Sequence, residues 1–163
     1  MTARKNKQSG LSLVEFTIVA AVLFTVLFAI IEVGVFAYSM QSLNDITRRA
    51  ARLAAVCQVK DSANVVDLAL SEGSPSGFVS SNLVIEYLDE DGAKVADPPE
   101  DHYIDIRYVK AKVKDYNYTF LGLLGFLGDS GAISSPAFET TLPAESLGIM
   151  RPGSSDPDNK TDC

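Results

Sequence analysis

The sequence predicts an α+β protein in which a long N-terminal transmembrane and assembly helix precedes a small antiparallel β-sheet domain. Three observations predict this fold. An unbroken apolar run extends from Phe16 to Met40, an amphipathic stretch continues it to Cys57, and short alternating segments bounded by turn residues follow from 82 to about 145. We therefore expect a basic leader (1–10), a transmembrane helix (11–40), an amphipathic extension (41–57), an extracytoplasmic α+β domain (58–151) and a flexible tail (152–163).

Composition narrows the function classes. The chain has 163 residues and a net charge of −7, and an acidic protein of this kind is a poor match for nucleic acid, whose phosphates require a basic surface. His102 is the only histidine, which argues against a histidine-rich metal site, and the absence of Trp argues against a large aromatic cage. No G-x-S-x-G or H-E-x-x-H motif is present. We expect a protein that is not an enzyme and that holds no cofactor or metal.

The apolar run has the dimensions of a membrane span. Glu32 is its only charged residue. At about 1.5 Å per residue the run reaches about 35 Å, which exceeds the roughly 30 Å thickness of the hydrocarbon layer. A cleaved signal peptide would have a shorter apolar region. Three basic residues before the run predict a cytoplasmic N-terminus: Arg4, Lys5 and Lys7. Three basic residues after the run oppose this orientation, but they lie farther from the apolar core: Arg48, Arg49 and Arg52.

The first residues, MTARKNKQSG-LSLVEF, place a basic leader before Gly10, an apolar helix after it and Glu15 at the fifth position of that helix. This arrangement resembles the type IV prepilin pattern. The resemblance implies that a prepilin peptidase cuts after Gly10 on the cytoplasmic face, so that Leu11 becomes the new N-terminus. Glycine suits such a site because it lets the backbone adopt the conformation that a protease needs.

Glu15 needs an explanation because a carboxylate inside an apolar helix is costly without a partner. The resemblance to pilins implies that Glu15 neutralises the new amine of Leu11 on a neighbouring subunit. Such a pair, removed from water, would set the register of the assembly more than its stability. The alternative is that Glu15 lies at the cytoplasmic interface of an ordinary anchor helix and is solvated.

Further residues resemble the TadE/TadF group of minor pilins or pseudopilins, which serve tight-adherence (Flp-type) pili. The similarity covers about residues 10–57 and rests on Val14-Glu15-Phe16, on Ile30-Ile31-Glu32-Val33-Gly34 and on the stretch Arg49 to Ala55. The chain lacks the family's proline, expected near Ala20-Ala21, and it lacks the family's glycine between the two arginines, here Arg49 and Arg52.

This resemblance implies a subunit of the bacterial inner membrane that acts in pilus biogenesis and surface adherence. Its partners would be a prepilin peptidase, other pilin subunits, the Tad inner-membrane platform and membrane lipid. A type II secretion-like pseudopilin and a single-span anchored adhesin or sensor are the alternatives. Processing at Gly10 distinguishes a pilin-like subunit from a simple anchor.

Two features stay open at the level of sequence. Glu32, counted with Glu15 and Phe16 among the assembly residues, could pair with an arginine of a neighbouring helix or could mark the outer lipid–water boundary in contact with water. Cys57 and Cys163 could form a disulfide in an oxidising compartment or could remain thiols.

Periodicity predicts the elements after the span. One face of the amphipathic extension is apolar, a short helix is expected over Ser62–Glu72, and strands are expected over Asn82–Leu88 and Ala132–Leu142. A strand over His102–Asp115 would contain a bulge at Tyr108-Val109, because the apolar parity changes there. The apolar face is formed by Leu43, Ile46, Ala50, Leu53, Ala54 and Cys57.

Two loops have alternative interpretations. The turn Asp89–Gly92 is acidic enough to suggest calcium, but it fails the EF-hand pattern, so a plain hairpin turn is favoured. The apolar, glycine-rich stretch Tyr116–Gly128 is either a buried loop, which is favoured, or an exposed patch that touches lipid or another subunit.

Overall fold

The computed structural model describes residues 9–71, 73–120, 122, 124–125, 132–149 and 163. Of the predicted leader these residues include only Ser9 and Gly10, and of the predicted tail only Cys163. The rest of both segments lies outside the described residues. The predicted fold class is confirmed: a long apolar N-terminal helix is followed by a small antiparallel sheet domain. The chain divides into two compact units, one of Met1–Ala37 with Thr119–Ile133 and one of Tyr38–Tyr118 with Ser134–Cys163.

Helix α1, Ser9–Val56, runs through both units. We call residues 12–37 its lower half and residues 38–56 its upper half. The apolar face predicted for the upper half is buried, with Leu43, Ile46 and Ala54 at 0–1% exposure. Alanines such as Ala50 and Ala51 are buried beside them, and their small side chains let neighbouring elements approach closely.

Three strands among the described residues form an antiparallel sheet in the order β1-β2-β5, with β1 at Leu83–Leu88, β2 at Tyr108–Val113 and β5 at Glu139–Pro143. The core of this unit gathers side chains from the end of α1, from helix α2 (Ser62–Leu70) and from the central strand, among them Val65 and Val109. Strands β3 (Asn117–Thr119) and β4 (Ala132–Ser134) pair with each other where the chain passes between the two units.

The segment Glu145–Gly148 closes the C-terminal end of α1. Backbone N–H groups of Leu147 and Gly148 donate to the carbonyls of Ala55 and Val56 at 3.1 and 2.7 Å, so these last carbonyls of the helix find partners. Gly148 has φ +78°, and a Cβ there would lie 2.5–2.9 Å from atoms of Gln58, so a side chain does not fit.

The two cysteines, whose state the sequence leaves open, form a disulfide with an S–S distance of 2.04 Å and a sequence separation of 106. Cys57 follows the last residue of α1 and is fully buried. The disulfide therefore attaches the C-terminal residue to the end of the helix.

The predictions after the span are confirmed in part. The short helix ends at Leu70 and the positive φ of Gly73 follows it, β1 begins one residue later than expected, and the expected strand at 132–142 is two strands separated by Pro136.

The strand expected over His102–Asp115 is wrong in its first half. Pro99–Asp105 is a 3-10 helix that starts with a proline, and Ile104 on it is 81% exposed, so its apparent alternation does not reflect burial. The bulge at Tyr108-Val109 is also wrong. The register of β2 is continuous against both neighbours, and β2 begins only at Tyr108, so the change in parity lies at the start of the strand and not within it.

Candidate assembly and membrane site

The lower half of α1 exposes its apolar side chains on all sides. Leu23 and Ile30, at 55% and 63% exposure, are typical of it. Among the described residues one helix is long and apolar enough to cross a membrane, and none of its most apolar window is buried inside the protein. Such a surface requires lipid or other apolar helices around it.

Both threonine hydroxyl groups of the lower half are satisfied by the helix itself. Thr17 Oγ1 donates to the carbonyl of Leu13 and Thr25 Oγ1 to that of Ala21, each at 2.8 Å. These bonds to the preceding turn leave neither threonine proton to be solvated in an apolar surrounding.

Residues of the predicted cleavage site lie at the start of α1. Gly10 and Leu11 are helical, because α1 begins at Ser9 rather than at Leu11. Glu15 and Phe16 follow within the next two turns, and both are exposed. Glu15 has no hydrogen-bond or ion-pair partner among the residues that the structure describes.

Glu32 lies in the same compact unit as a turn from the apolar, glycine-rich stretch. We call this turn, formed by Phe120, Gly122, Leu124 and Gly125, the glycine turn. Glu32 Oε1 accepts a hydrogen bond from the backbone N–H of Gly122 at 2.8 Å, and Oε2 accepts one from that of Leu124 at 2.9 Å. Both carboxylate oxygens are therefore used within the chain.

An aromatic contact adds to this arrangement. Phe36, one helical turn after Glu32, packs against Phe120 with ring centroids 5.5 Å apart and an interplanar angle of 33°. The N–H of Gly125 donates to the carbonyl of Gly122 at 3.1 Å and closes the turn. Neither interpretation of Glu32 from sequence, an arginine partner or a solvated boundary residue, includes this contact. The sequence signal that could have revealed this contact was a lone acid and a glycine-rich apolar segment, both of which needed polar partners.

The arginines after the span differ from one another. Arg49 bonds to Asp45 Oδ2 at 2.6 Å and donates to the carbonyl of Ala69 at 3.4 Å, near the C-terminal end of α2 where a positive charge is favourable. Arg48 and Arg52 are exposed on the same helix. Of the three arginines, Arg49 thus contacts both an acid of its own helix and the end of α2.

In the acidic turn Asp89–Gly92, the carboxylate of Asp89 is bound by nearby backbone N–H groups. Asp89 Oδ1 accepts hydrogen bonds from the N–H groups of Asp91 and Ala93 at 3.0 and 2.9 Å, and Gly92 takes a positive φ of 78°. This is the hairpin turn that the sequence favoured. His102 Nδ1 lies 3.6 Å from Asp105 Oδ2, and both side chains are largely exposed.

Lysines of the central strand have acidic neighbours. Lys112 Nζ bonds to Glu86 Oε1 at 2.7 Å, and Lys110 Nζ lies 3.7 Å from Glu139 Oε2. These pairs connect β2 to the strand on each side, as opposite charges on one sheet face do.

We call the compact unit of Tyr38–Tyr118 with Ser134–Cys163 the sheet unit. Burial raises the pKa of tyrosine side chains in it, as Tyr103 and Tyr87 show. Desolvation raises the pKa of Tyr103 to about 12, and desolvation, followed by the charge of Tyr103, raises the pKa of Tyr87. Both phenols therefore remain neutral throughout the physiological range, and they serve as core side chains.

Comparison with known proteins finds a similarity in the N-terminal part of the chain. Residues 10–52 match the family model described as TadE-like protein. We call these residues the TadE-like segment after that similarity. The match contains Gly10, Glu15 and Glu32, and it confirms the resemblance that the sequence suggested. No curated protein and no solved structure matches the chain.

The TadE-like segment also contains the apolar helix that fits a membrane anchor. It includes the lower half of α1 and most of the upper half, and it ends before Cys57. The glycine turn that contacts Glu32 lies outside it.

Proposed function

We propose that the chain is a structural subunit, a minor pilin or pseudopilin, of a Tad/Flp-type pilus, and that it acts in pilus biogenesis and surface adherence without catalysing a reaction. A prepilin peptidase cuts it after Gly10. Other pilin subunits, the Tad inner-membrane platform and membrane lipid are its partners, and nucleic acid is not. The observation that carries this proposal is the exposed apolar lower half of α1 within the TadE-like segment, with Glu15 five residues after Gly10.

The exposed surface of the lower half supports two successive environments. Before assembly the helix spans the bacterial inner membrane, since about 30 Å of apolar helix matches the hydrocarbon layer. In a pilus the same surface packs against the helices of neighbouring subunits. Either environment removes the apolar side chains from water.

Topology is supported by charge and by the disulfide. The basic residues before α1 favour a cytoplasmic N-terminus. The bond between Cys57 and Cys163 requires an oxidising compartment, which favours an extracytoplasmic position for the sheet unit. Both observations support one orientation, with the N-terminus inside and the C-terminus outside.

Glu15 supports a role in assembly. A carboxylate with no partner among the described residues, on a helix that enters an apolar environment, needs a positive charge from elsewhere. Cutting after Gly10 creates such a charge at the amine of Leu11. We assign the amine of a neighbouring subunit as the partner of Glu15, and such a pair would set the register of the assembly.

N-terminal mass spectrometry of the membrane-extracted protein tests the processing step. With a prepilin peptidase co-expressed, we expect the mature chain to begin at Leu11, and without it to keep the leader. Gly10→Arg should block cutting and piliation while membrane insertion continues. A chain that keeps Met1 in the presence of an active peptidase, or normal piliation by Gly10→Arg, would reduce the protein to a simple membrane-anchored domain.

Glu15→Ala separates cutting from assembly. We expect normal processing but a large loss of incorporation into pili, because the amine of the neighbouring subunit would lose its counter-charge. Glu90→Ala, which removes one exposed acid from the sheet unit, is the matched control and should assemble normally. Equal incorporation of the two variants would remove the pairing argument.

A further inference from the structure

Position along α1 fixes the level of Glu32 in a membrane. The sixteen residues from Phe16 to Glu32 rise about 24 Å at about 1.5 Å per residue. If Phe16 enters the hydrocarbon at the cytoplasmic face, Glu32 lies inside a layer that is roughly 30 Å thick, in the leaflet farther from the cytoplasm. The bound N–H groups of Gly122 and Leu124 lie at about the same level.

Irregular backbone at this depth is costly unless its polar groups have partners. The glycine turn meets this condition at the N–H groups of Gly122, Leu124 and Gly125. Those of Gly122 and Leu124 donate to Glu32, and that of Gly125 donates to the carbonyl of Gly122. Conversely, the two N–H donors satisfy a carboxylate that would otherwise be unpartnered in the span. The carboxylate of Glu32 and the N–H groups of the glycine turn therefore provide each other with hydrogen-bond partners.

The sequence around the turn is suited to lipid. Tyr116 to Gly128 contains no Asp, Glu, Lys or Arg, and Asp115 and Asp129 flank it. Phe120 is anchored on Phe36, while Leu124 is only partly buried and offers apolar surface. Tyr116, Tyr118 and Phe120 of this stretch are buried in the protein, so the part that can contact lipid is the turn itself, where Gly122 is exposed and Leu124 is partly buried.

We propose that the glycine turn is a second lipid contact of the protein, inserted in the outer leaflet beside α1, and that Glu32 is the positioning residue that holds it there. This inference rests on the proposed membrane insertion of α1 but not on cutting at Gly10. Lipid is favoured over a second protein copy because both oxygens of Glu32 are already used within the chain. The turn thus offers a neighbouring subunit apolar surface without the acid.

Absence of Trp from the chain permits a direct test with single-tryptophan variants of the full-length protein. Each variant is reconstituted into phosphatidylethanolamine–phosphatidylglycerol vesicles that contain brominated acyl chains, which quench tryptophan only on contact. We expect Leu124→Trp to be strongly quenched. Phe28→Trp, in the lower half of α1, should also be quenched, and Ile104→Trp, on the exposed 3-10 helix, should not.

Removal of the carboxylate tests the role of Glu32. In the Leu124→Trp background, Glu32→Ala should reduce quenching toward the level of Ile104→Trp. Glu32→Gln, which keeps one acceptor oxygen, should give an intermediate loss. Quenching of Phe28→Trp should be unchanged by either substitution, and an intact Cys57–Cys163 disulfide shows that the sheet unit has folded.

Each other outcome overturns a defined part of the proposal. If Phe28→Trp is quenched and Leu124→Trp is solvent-exposed, the second lipid contact is wrong and the span stands. If Leu124→Trp is shielded from water but not quenched, the turn contacts protein instead of lipid. An unquenched Phe28→Trp would reject membrane insertion and the inference with it. Unchanged quenching of Leu124→Trp in Glu32→Ala would reject the positioning role.

Discussion

The two halves of α1 are equally helical but have opposite surroundings. Leu23 and Ile30 of the lower half are 55% and 63% exposed, whereas Leu43 and Ile46 of the upper half are at 0% and 1%. Apart from Glu15 and Glu32 the lower half carries apolar residues on every side, whereas the upper half gathers most of its apolar residues on one buried face. An all-apolar helix needs an apolar solvent and an amphipathic one needs a single packing partner. The distribution of polar residues therefore decides what each half contacts.

The two acids of the lower half show the same contrast on a smaller scale. Glu32 uses both carboxylate oxygens within its own chain, and Glu15 uses neither among the described residues. An acid that is satisfied internally can enter an apolar environment with its own subunit, whereas the other acid depends on what the surroundings provide. This difference separates a residue that shapes the subunit from one that is available for assembly.

Among substitutions that compare the two halves, the largest loss of stability is expected from removing the disulfide at the end of the upper half. Cys57→Ser with Cys163→Ser opens a loop with a separation of 106 residues, for which the chain-entropy relation gives about 4.7 kcal/mol of lost stability. In detergent, denaturant titration should show early unfolding of the sheet unit, while far-UV circular dichroism retains the helical signal of the lower half. Wild-type protein unfolded under reducing conditions is the control. Simultaneous loss of both signals would mean that the lower half depends on the sheet unit.

Predictability from sequence followed the strength of the periodic signal. The buried face of α1 could be predicted because Leu43, Ile46 and Ala50 recur at helical spacing, and the register of one helix fixes all of them at once. The segment His102–Arg107 could not. Its alternation suits a strand, but a proline-initiated 3-10 helix leaves Ile104 exposed, and local alternation does not reveal whether a partner strand is present.

Sequence reasoning can relate the residues of a candidate site only where they are close together along the chain. Gly10, Leu11 and Glu15 lie within two helical turns, so their relation follows from the helix alone. The contact between Glu32 and Gly122 joins residues 90 positions apart. Such a pairing depends on how the chain returns to the helix, which no local pattern contains. Pairing of Cys57 with Cys163 was left open for the same reason.

A medium effect is expected from one buried isoleucine of the upper half. Ile46→Ala should lower the free energy of unfolding of the sheet unit by about 3 kcal/mol, because it removes buried methyl groups and leaves a cavity. Ile30→Ala, the same substitution at an exposed site in the lower half, should change it by less than about 0.5 kcal/mol. Chemical denaturation of both variants in the same detergent measures the difference. Equal effects would show that the lower half also contributes to the stability of the sheet unit.

The smallest effect concerns the polar side of the upper half. Asp45 and Arg49 form an ion pair one helical turn apart at 2.6 Å, with side chains 64% and 29% exposed. The acid precedes the base along the helix, which is the favourable order, and such pairs contribute about 0.3–0.5 kcal/mol. A double-mutant cycle of Asp45→Asn and Arg49→Gln should give a coupling energy of this size that decreases with added salt. Pairing Asp45→Asn with Arg52→Gln should give none. A coupling well above 1 kcal/mol would mean that this face is desolvated, as a subunit interface would be, and the upper half would then contact a partner on two sides instead of one.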